Sequence, residues 1–110
     1  MASLIKADLS GAVLTGANLQ FANLTFANLQ EADLSEADLG STLLTEAKLI
    51  RATLRGSNLT NAILYRADLR GADLRSAILR PEQLSETRGD SETQLPEGFD
   101  PPPEWTDVSP

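Results

Sequence analysis

Leucine occupies every fifth position of this chain, from Leu4 to Leu84 without interruption. That period fits neither regular element. Five residues advance about 500° around an α-helix, so the leucines form no stripe, and an odd period places successive strand side chains on opposite faces. The leucines can share one interior only if the chain turns a corner at every repeat. Four corners close a square coil of about twenty residues, and such coils stack about 4.8 Å apart.

The residues beside each leucine suit this geometry. Alanine stands two positions before the leucine in fourteen of seventeen repeats, the exceptions being Thr42, Ser57 and Glu82. A small side chain fits an inward position close to a corner. Asp or Asn often stands between the alanine and the leucine, where it tolerates turn dihedrals and can hydrogen-bond nearby backbone groups. Each buried leucine is expected to contribute about 2 kcal/mol before the entropy cost.

The unit Ala-(Asp/Asn)-Leu-X-X resembles the repeat of the pentapeptide-repeat family over residues 2–84. The resemblance implies an all-β solenoid, a right-handed quadrilateral β-helix of about four coils, with the leucines pointing inward. The stretch Leu95-Pro96-Glu97-Gly98-Phe99-Asp100-Pro101 is also similar to the tails of small cyanobacterial members.

A change of composition after the repeats predicts three parts. Residues 1–80 are expected to form the β-helix. Residues 81–89 are expected to form a helical C-terminal cap, because Pro81 suits a first helical turn and Gly89 suits a stop. Residues 90–110 hold five prolines, six acids and no base. We expect them to form an acidic Pro-rich tail that is disordered or docked on the solenoid.

The two ends of the repeat region differ in their signals. A solenoid has to cover its terminal coils, because each end exposes unpaired backbone groups and core side chains. Leu84 keeps the five-residue phase and is placed to plug the last coil. No comparable signal precedes the first repeats. The N-terminal end is therefore expected to be open, or to be covered by a partner or by a second copy in a homodimer.

The net charge of −7 lies outside the repeats. Residues 1–80 hold eight acids and eight bases, whereas residues 81–110 hold eight acids and one base. Within the repeats, residues 1–50 hold six acids and two lysines, and residues 51–80 hold two acids and six arginines. The predicted basic patch consists of Arg51, Arg55, Arg66, Arg70, Arg75 and Arg80. It is interpreted as a solvated face with cross-coil ion pairs, as a dock for the acidic tail, or as a polyanion site. Nucleic acid is not an expected partner, because the chain is acidic and has few aromatics to stack bases.

Function must lie on the outer surface, because the leucines fill the interior. Stacking by twenty places most outward apolar side chains on or beside one face. This predicted interaction face consists of Ile5, Phe21, Phe26, Leu43, Ile63 and Tyr65. Three explanations remain open: scattered surface residues, a dock for the chain's own tail, and a surface for a protein partner or for self-association.

Several function classes are disfavoured. The chain has no Cys and no His, so it offers no thiolate or imidazole for nucleophilic, zinc or acid–base chemistry. The carboxylates of Glu31, Asp33, Glu36 and Asp38 are expected from the repeat itself, so neither a glycosidase pair nor a metal site is predicted. No cofactor is expected, and the protein is not expected to be an enzyme. No signal peptide or membrane span is visible, which predicts a cytoplasmic location.

The sequence therefore favours a non-enzymatic protein-interaction or structural module with an unidentified protein partner. The alternative comes from the resemblance: some family members mimic duplex DNA and bind DNA gyrase. That role requires a long rod with dense negative potential. The repeat region is short and neutral, with a basic C-terminal half, so the alternative is disfavoured.

Overall fold

The computed structural model describes residues 2–105, which form a coil of square cross-section. Fourteen isolated parallel β-bridges hold it together. All but one join residues twenty positions apart, as in the series Asn23, Leu43, Ile63. We number the turns as coil 1 (2–21), coil 2 (22–41), coil 3 (42–61), coil 4 (62–81) and a partial coil 5 from residue 82. Each side of a coil carries one bridge, so the described residues contain no longer strand.

Backbone hydrogen bonds alternate in direction along each side of a coil. The N–H of Leu24 donates to the carbonyl of Leu43 in the next coil at 2.7 Å, while the N–H of Asn23 donates back to the carbonyl of Ala2 at 2.9 Å. A third bond closes each corner, as where the N–H of Ala27 donates to the carbonyl of Leu24 at 2.9 Å. Every inner coil is thereby bonded to both of its neighbours.

The interior is a column of leucines with alanines beside them. The leucines of the five-residue series from Leu24 to Leu74 are 0–2% exposed. Where Thr42 and Ser57 replace the alanine, each hydroxyl donates to the carbonyl three residues earlier at 2.8 Å. These buried polar groups are therefore satisfied, and the core accepts them without leaving a polar group unpaired.

The helical cap predicted over residues 81–89 is wrong. A 3-10 helix spans only Pro81–Leu84. Glu86 then adopts a left-handed corner with φ 64°, and Arg88 bridges to Asp68 as in the repeats above. Pairing continues to Gln94, within the stretch expected to be a separate tail. The physical reason is the open edge of coil 4, whose N–H and C=O groups are satisfied by an added coil and not by a helix.

The C-terminal end of the core is covered. Leu84 is 1% exposed, and Leu95, Phe99 and Trp105 pack against the core beyond it. The side chain of Gln83 donates to the carbonyls of Leu59 and Ala62 at 2.8 and 2.9 Å. At the opposite end, the leucines of coil 1 are only partly buried. Residues 106–110 of the expected tail lie outside the described residues.

Candidate interaction surfaces

The predicted interaction face occupies one side of the solenoid, and we call it the apolar face. Leu43 and Ile63 are bridged in its central column. Tyr65 stands in the adjacent column, where its carbonyl accepts from the N–H of Glu46 at 2.9 Å. Ile5 belongs to that same column in coil 1. The face holds six of the eight large hydrophobic side chains that are exposed among residues 2–105; the others are Val13 and Ile78.

Two phenylalanines mark the corners that border this face, Phe21 at the end of coil 1 and Phe26 in coil 2. Phe21 and Phe26 have φ values of 64° and 62° and are 56% and 49% exposed. The left-handed region costs an L residue about 1 kcal/mol, and a bulky side chain there is unusual. The other left-handed corners hold glycine, serine, asparagine or a charged residue. Neither backbone strain nor an exposed ring stabilises the folded state, so these two residues are not explained by folding.

The described part of the tail does not cover the apolar face. Leu95, Phe99 and Trp105 contact the end of the core, and the indole N–H of Trp105 donates to the hydroxyl of Thr87 at 3.1 Å. The six side chains of the face remain 38–56% exposed with the tail in that position. Within residues 2–105, the tail therefore leaves the face exposed.

The arginines of the predicted basic patch are distributed around coils 3 and 4, and most contact acids. Arg51 pairs with Glu31 of the coil before it at 3.1 Å. Arg70 and Arg75 hold the carboxylates two residues earlier, and Arg80 pairs with Glu82 at 2.8 Å. Hydrogen bonds from Arg75 hold the pKa of the Asp73 carboxyl below its usual value, and the charges of Arg75 and Arg55 add to this effect. Arg66 has no salt bridge within residues 2–105. The arginines therefore form local pairs and not one continuous positive surface.

Asp68 is the most enclosed carboxylate in these pairs. Its burial raises the pKa, but hydrogen bonds and charge from Arg70, together with the charge of Arg88, outweigh burial and hold the pKa below its usual value. The Arg70 guanidinium contacts it at 2.6 Å, and that of Arg88 lies 3.6 Å away. Asp68 is therefore an ionised structural acceptor near neutral pH.

The acidic coil gives no support to catalysis. Asp33 and Asp38 accept bonds from the backbone N–H groups two residues on, both at 3.0 Å, which is the turn role of the repeat. The Ser35 hydroxyl holds the pKa of Asp33 below its usual value, opposite to the raised pKa of a general acid. Within residues 2–105 no cluster of three or more acids has the arrangement of a metal site. No helix in that range has the length and apolarity of a membrane span.

Sequence reasoning missed the role of Gln83. It stands at the Asp/Asn position before Leu84. Its longer amide donates to the carbonyl of Ala62 in coil 4 and to that of Leu59 in coil 3, which also accepts the corner bond from the N–H of Ala62. The sequence signal for this role is a Gln at the repeat position that often holds the shorter Asp or Asn.

Comparison with known proteins identifies the family that has this architecture. The family described as pentapeptide repeats matches in eight copies over residues 2–40 and 42–80. Proteins with these repeats form right-handed quadrilateral β-helices, in agreement with the square coil of this chain. No curated protein is significantly similar to the chain.

Solved structures of cyanobacterial pentapeptide-repeat proteins are similar to the chain. Rfr23 from Cyanothece 51142 is 37% identical with a TM-score of 0.76, and the match covers 84% of this chain and 63% of Rfr23. The chain thus spans less than two thirds of that protein. A second protein, from Nostoc Pcc 7120, is 34% identical with a TM-score of 0.50, covering 90% and 74% of the two chains. HetL, a Nostoc protein involved in heterocyst differentiation regulation, is 41% identical with a TM-score of 0.47, covering 78% and 40%.

Proposed function

The chain belongs to the pentapeptide-repeat family, and from this premise we propose that it is a non-enzymatic interaction module that binds a protein through its apolar face. The observation that carries the proposal is the concentration of six exposed hydrophobic side chains on one side of a rigid coil. Aromatic side chains are enriched in the buried centres of protein interfaces, and this face carries three of them.

The backbone supports this use of the face. The bridges that run through Asn23, Leu43 and Ile63 hold the columns in register, so side chains on the face are presented with little freedom to rearrange. Phe21 and Phe26 stand at the two corners bordering it. A partner that buries both rings and the residues between them would stabilise the complex by about 25 cal/mol for each Å² of apolar surface removed from water.

The surrounding charges favour a protein over a polyanion. Lys6, Glu46 and Arg66 share one corner column with Phe26, so both signs of charge border the face. Ion pairs neutralise most of the remaining arginines. The structure is 40 Å along its longest axis, and residues 51–80 of the repeats hold six arginines and only two acids. These features do not favour a DNA-like rod.

The test is quantitative capture of proteins from a lysate of the source organism by three forms of the full chain. The face variant carries Phe26→Ser and Tyr65→Ser. The matched control carries Val13→Ser and Ile78→Ser, which remove the two large exposed apolar side chains outside the face. We expect the wild type and the control to retain the same partner, and the face variant to lose it at least about tenfold, which corresponds to about 1.4 kcal/mol.

Circular dichroism distinguishes a loss of partner binding from a loss of folding in the face variant. We expect the β-sheet signal of the face variant to match that of the wild type. If the variant unfolds, the face serves the fold and the proposal loses its basis. Equal capture by the wild type and the face variant would also overturn it. Strong inhibition of gyrase supercoiling by the purified wild type would favour the DNA-mimic function instead.

A further inference from the structure

Within the part of the chain that the structure describes, coil 1 has an unpaired backbone edge on all four sides. In coil 2, the residues at the bridge positions donate to and accept from coil 1, as Asn23 does with Ala2 and Leu4. Their counterparts in coil 1 have no coil beneath them within residues 2–105. In that range, the N–H and C=O groups of Ser3, Asp8, Val13 and Asn18 have no backbone partner, and neither do the carbonyls of Ile5, Ser10, Thr15 and Gln20. Each side of the square thus presents one donor and two acceptors at this edge.

The core is open at this edge. The leucines of coil 1 are only partly buried, whereas Leu24, Leu44 and Leu64 in the same column as Leu4 are 0–2% exposed. An exposed β-edge with apolar side chains behind it is a surface that natural proteins cover. The cover has to satisfy backbone groups on four sides and leucines in the centre.

The square shape of the coil 1 edge determines which kind of structure can cover it. A helix or a single strand covers one side of a square, whereas the end of another square coil meets all four sides at once. The C-terminal end of this chain is closed by Leu95, Phe99 and Trp105, so it offers no such surface. We propose that two copies of the protein join head to head through their N-terminal coils, forming a closed two-fold dimer with antiparallel pairing on every side.

Chemistry of the edge side chains selects one of the four possible registers. Rotating one copy by quarter turns pairs Val13 in turn with Val13, Asn18, Ser3 or Asp8. When Val13 meets Val13, Ser3 meets Ser3 and Asp8 meets the amide of Asn18. That register packs the most exposed large apolar side chain, Val13 at 79%, against its own copy. The register that pairs Val13 with Ser3 sets Asp8 against Asp8, which is repulsive.

The charge of coil 1 and the area of its edge are both compatible with a second copy of the chain as the partner. Coil 1 carries one base, Lys6, and one acid, Asp8, so two such edges meet without net repulsion. The cross-section of 24 × 21 Å gives about 500 Å² per copy, or about 1,000 Å² in total, which is the lower bound for a specific interface. The dimer is thus expected to be reversible with protein concentration.

The test is sedimentation equilibrium of the full chain and two aspartate variants up to about 200 µM. Val13→Asp suits the coil, because Asp33 and Asp73 occupy the same column. It sets two carboxylates opposite each other in the dimer. Ile78→Asp is the matched control: it is exposed, its column holds Asp38, and it lies in coil 4, away from the edge.

We expect the wild type and Ile78→Asp to reach twice the monomer mass of 11.8 kDa, and Val13→Asp to raise the dimer Kd at least about tenfold. A wild type that stays monomeric at the highest concentration overturns the proposal. Equal dissociation of both variants, or of neither, also overturns it. Amide hydrogen exchange gives a second reading: the N–H groups of Val13 and Asn18 should become protected as the wild type is concentrated, and unchanged exchange there contradicts the dimer.

This dimer is independent of the proposed function. The Phe26→Ser and Tyr65→Ser variant should dimerise as the wild type does, because neither side chain lies on the coil 1 edge. Loss of partner capture without loss of the dimer, or the reverse, therefore separates the two proposals.

Discussion

At the C-terminal end of the solenoid Leu84 is 1% exposed beneath Leu95, Phe99 and Trp105, whereas at the N-terminal end Leu4 is only partly buried. Both leucines occupy the same position of the same repeat. The difference lies in the segment after the last full coil, because a partial coil and an apolar cover satisfy the backbone and the core together. A solenoid is stable by the sum of its neighbour contacts, so an end without a neighbour contributes least.

The largest expected effect comes from truncating the same leucine at the two ends. Leu84→Ala should lower the free energy of unfolding by about 3 kcal/mol, because it leaves a cavity beneath the cover. Leu4→Ala should cost about 1 kcal/mol in dilute protein, because part of that side chain is already in water. Urea unfolding measured well below the dimer Kd checks the comparison. Equal costs at both ends would show that coil 1 is covered in the monomer.

A smaller effect tests the cover itself. A Cβ on Gly89 would lie 2.3 Å from Cδ2 of Trp105, so Gly89→Ala must displace the indole. We expect Gly89→Ala to lower the free energy of unfolding by about 2 kcal/mol. Trp105→Ala should lower it by a similar amount, because in both variants a partly buried ring is lost from the core. In the Trp105→Ala background, Gly89→Ala should be neutral or slightly stabilising.

Fluorescence gives this prediction a direct readout, since Trp105 is the only tryptophan. Gly89→Ala should shift its emission to the red as the indole enters water. Gly98→Ala is unsuitable as a control because its φ of 87° adds backbone strain. Additive costs of the two substitutions, with no spectral change, would mean that Trp105 does not rest on Gly89.

The smallest effect compares two aspartates in one column, Asp8 in coil 1 and Asp68 in coil 4. The pKa of Asp68 is lower in the folded state than in the unfolded state. Its ionised carboxylate therefore contributes fully to the free energy of unfolding above the unfolded pKa of about 3.9, and this contribution is lost as the pH falls from there through the folded pKa. Asp68→Asn should cost about 1 kcal/mol at pH 7 and less at pH 3. Asp8→Asn should cost less, because its pKa is lowered by hydrogen bonds from Ser10 and by no cation. Thermal unfolding at the two pH values checks this, and equal losses for both variants would contradict it.

Predictability from sequence differed among the parts of the molecule. The family and the quadrilateral β-helix were predicted and are confirmed, because one leucine in five has a single compact solution. The shared side of Leu43, Ile63 and Tyr65 results from the twenty-residue stacking. The use of that side by a partner stays a prediction. The helical cap over 81–89 was wrong, since Pro81 and the following acid are local signals that one 3-10 turn already satisfies.

The sequence by itself determined the coil, its inward leucines and the columns of its outer surface, because these depend on a period that every repeat carries. Only the tertiary structure decided how the ends are treated. The pairing of Arg88 and Gln94 with coil 4, the Gln83 bonds and the docking of Trp105 on Gly89 all involve residues beyond the last regular repeat. Their physical cause is the unpaired edge of coil 4, which exists only once the preceding coils have stacked.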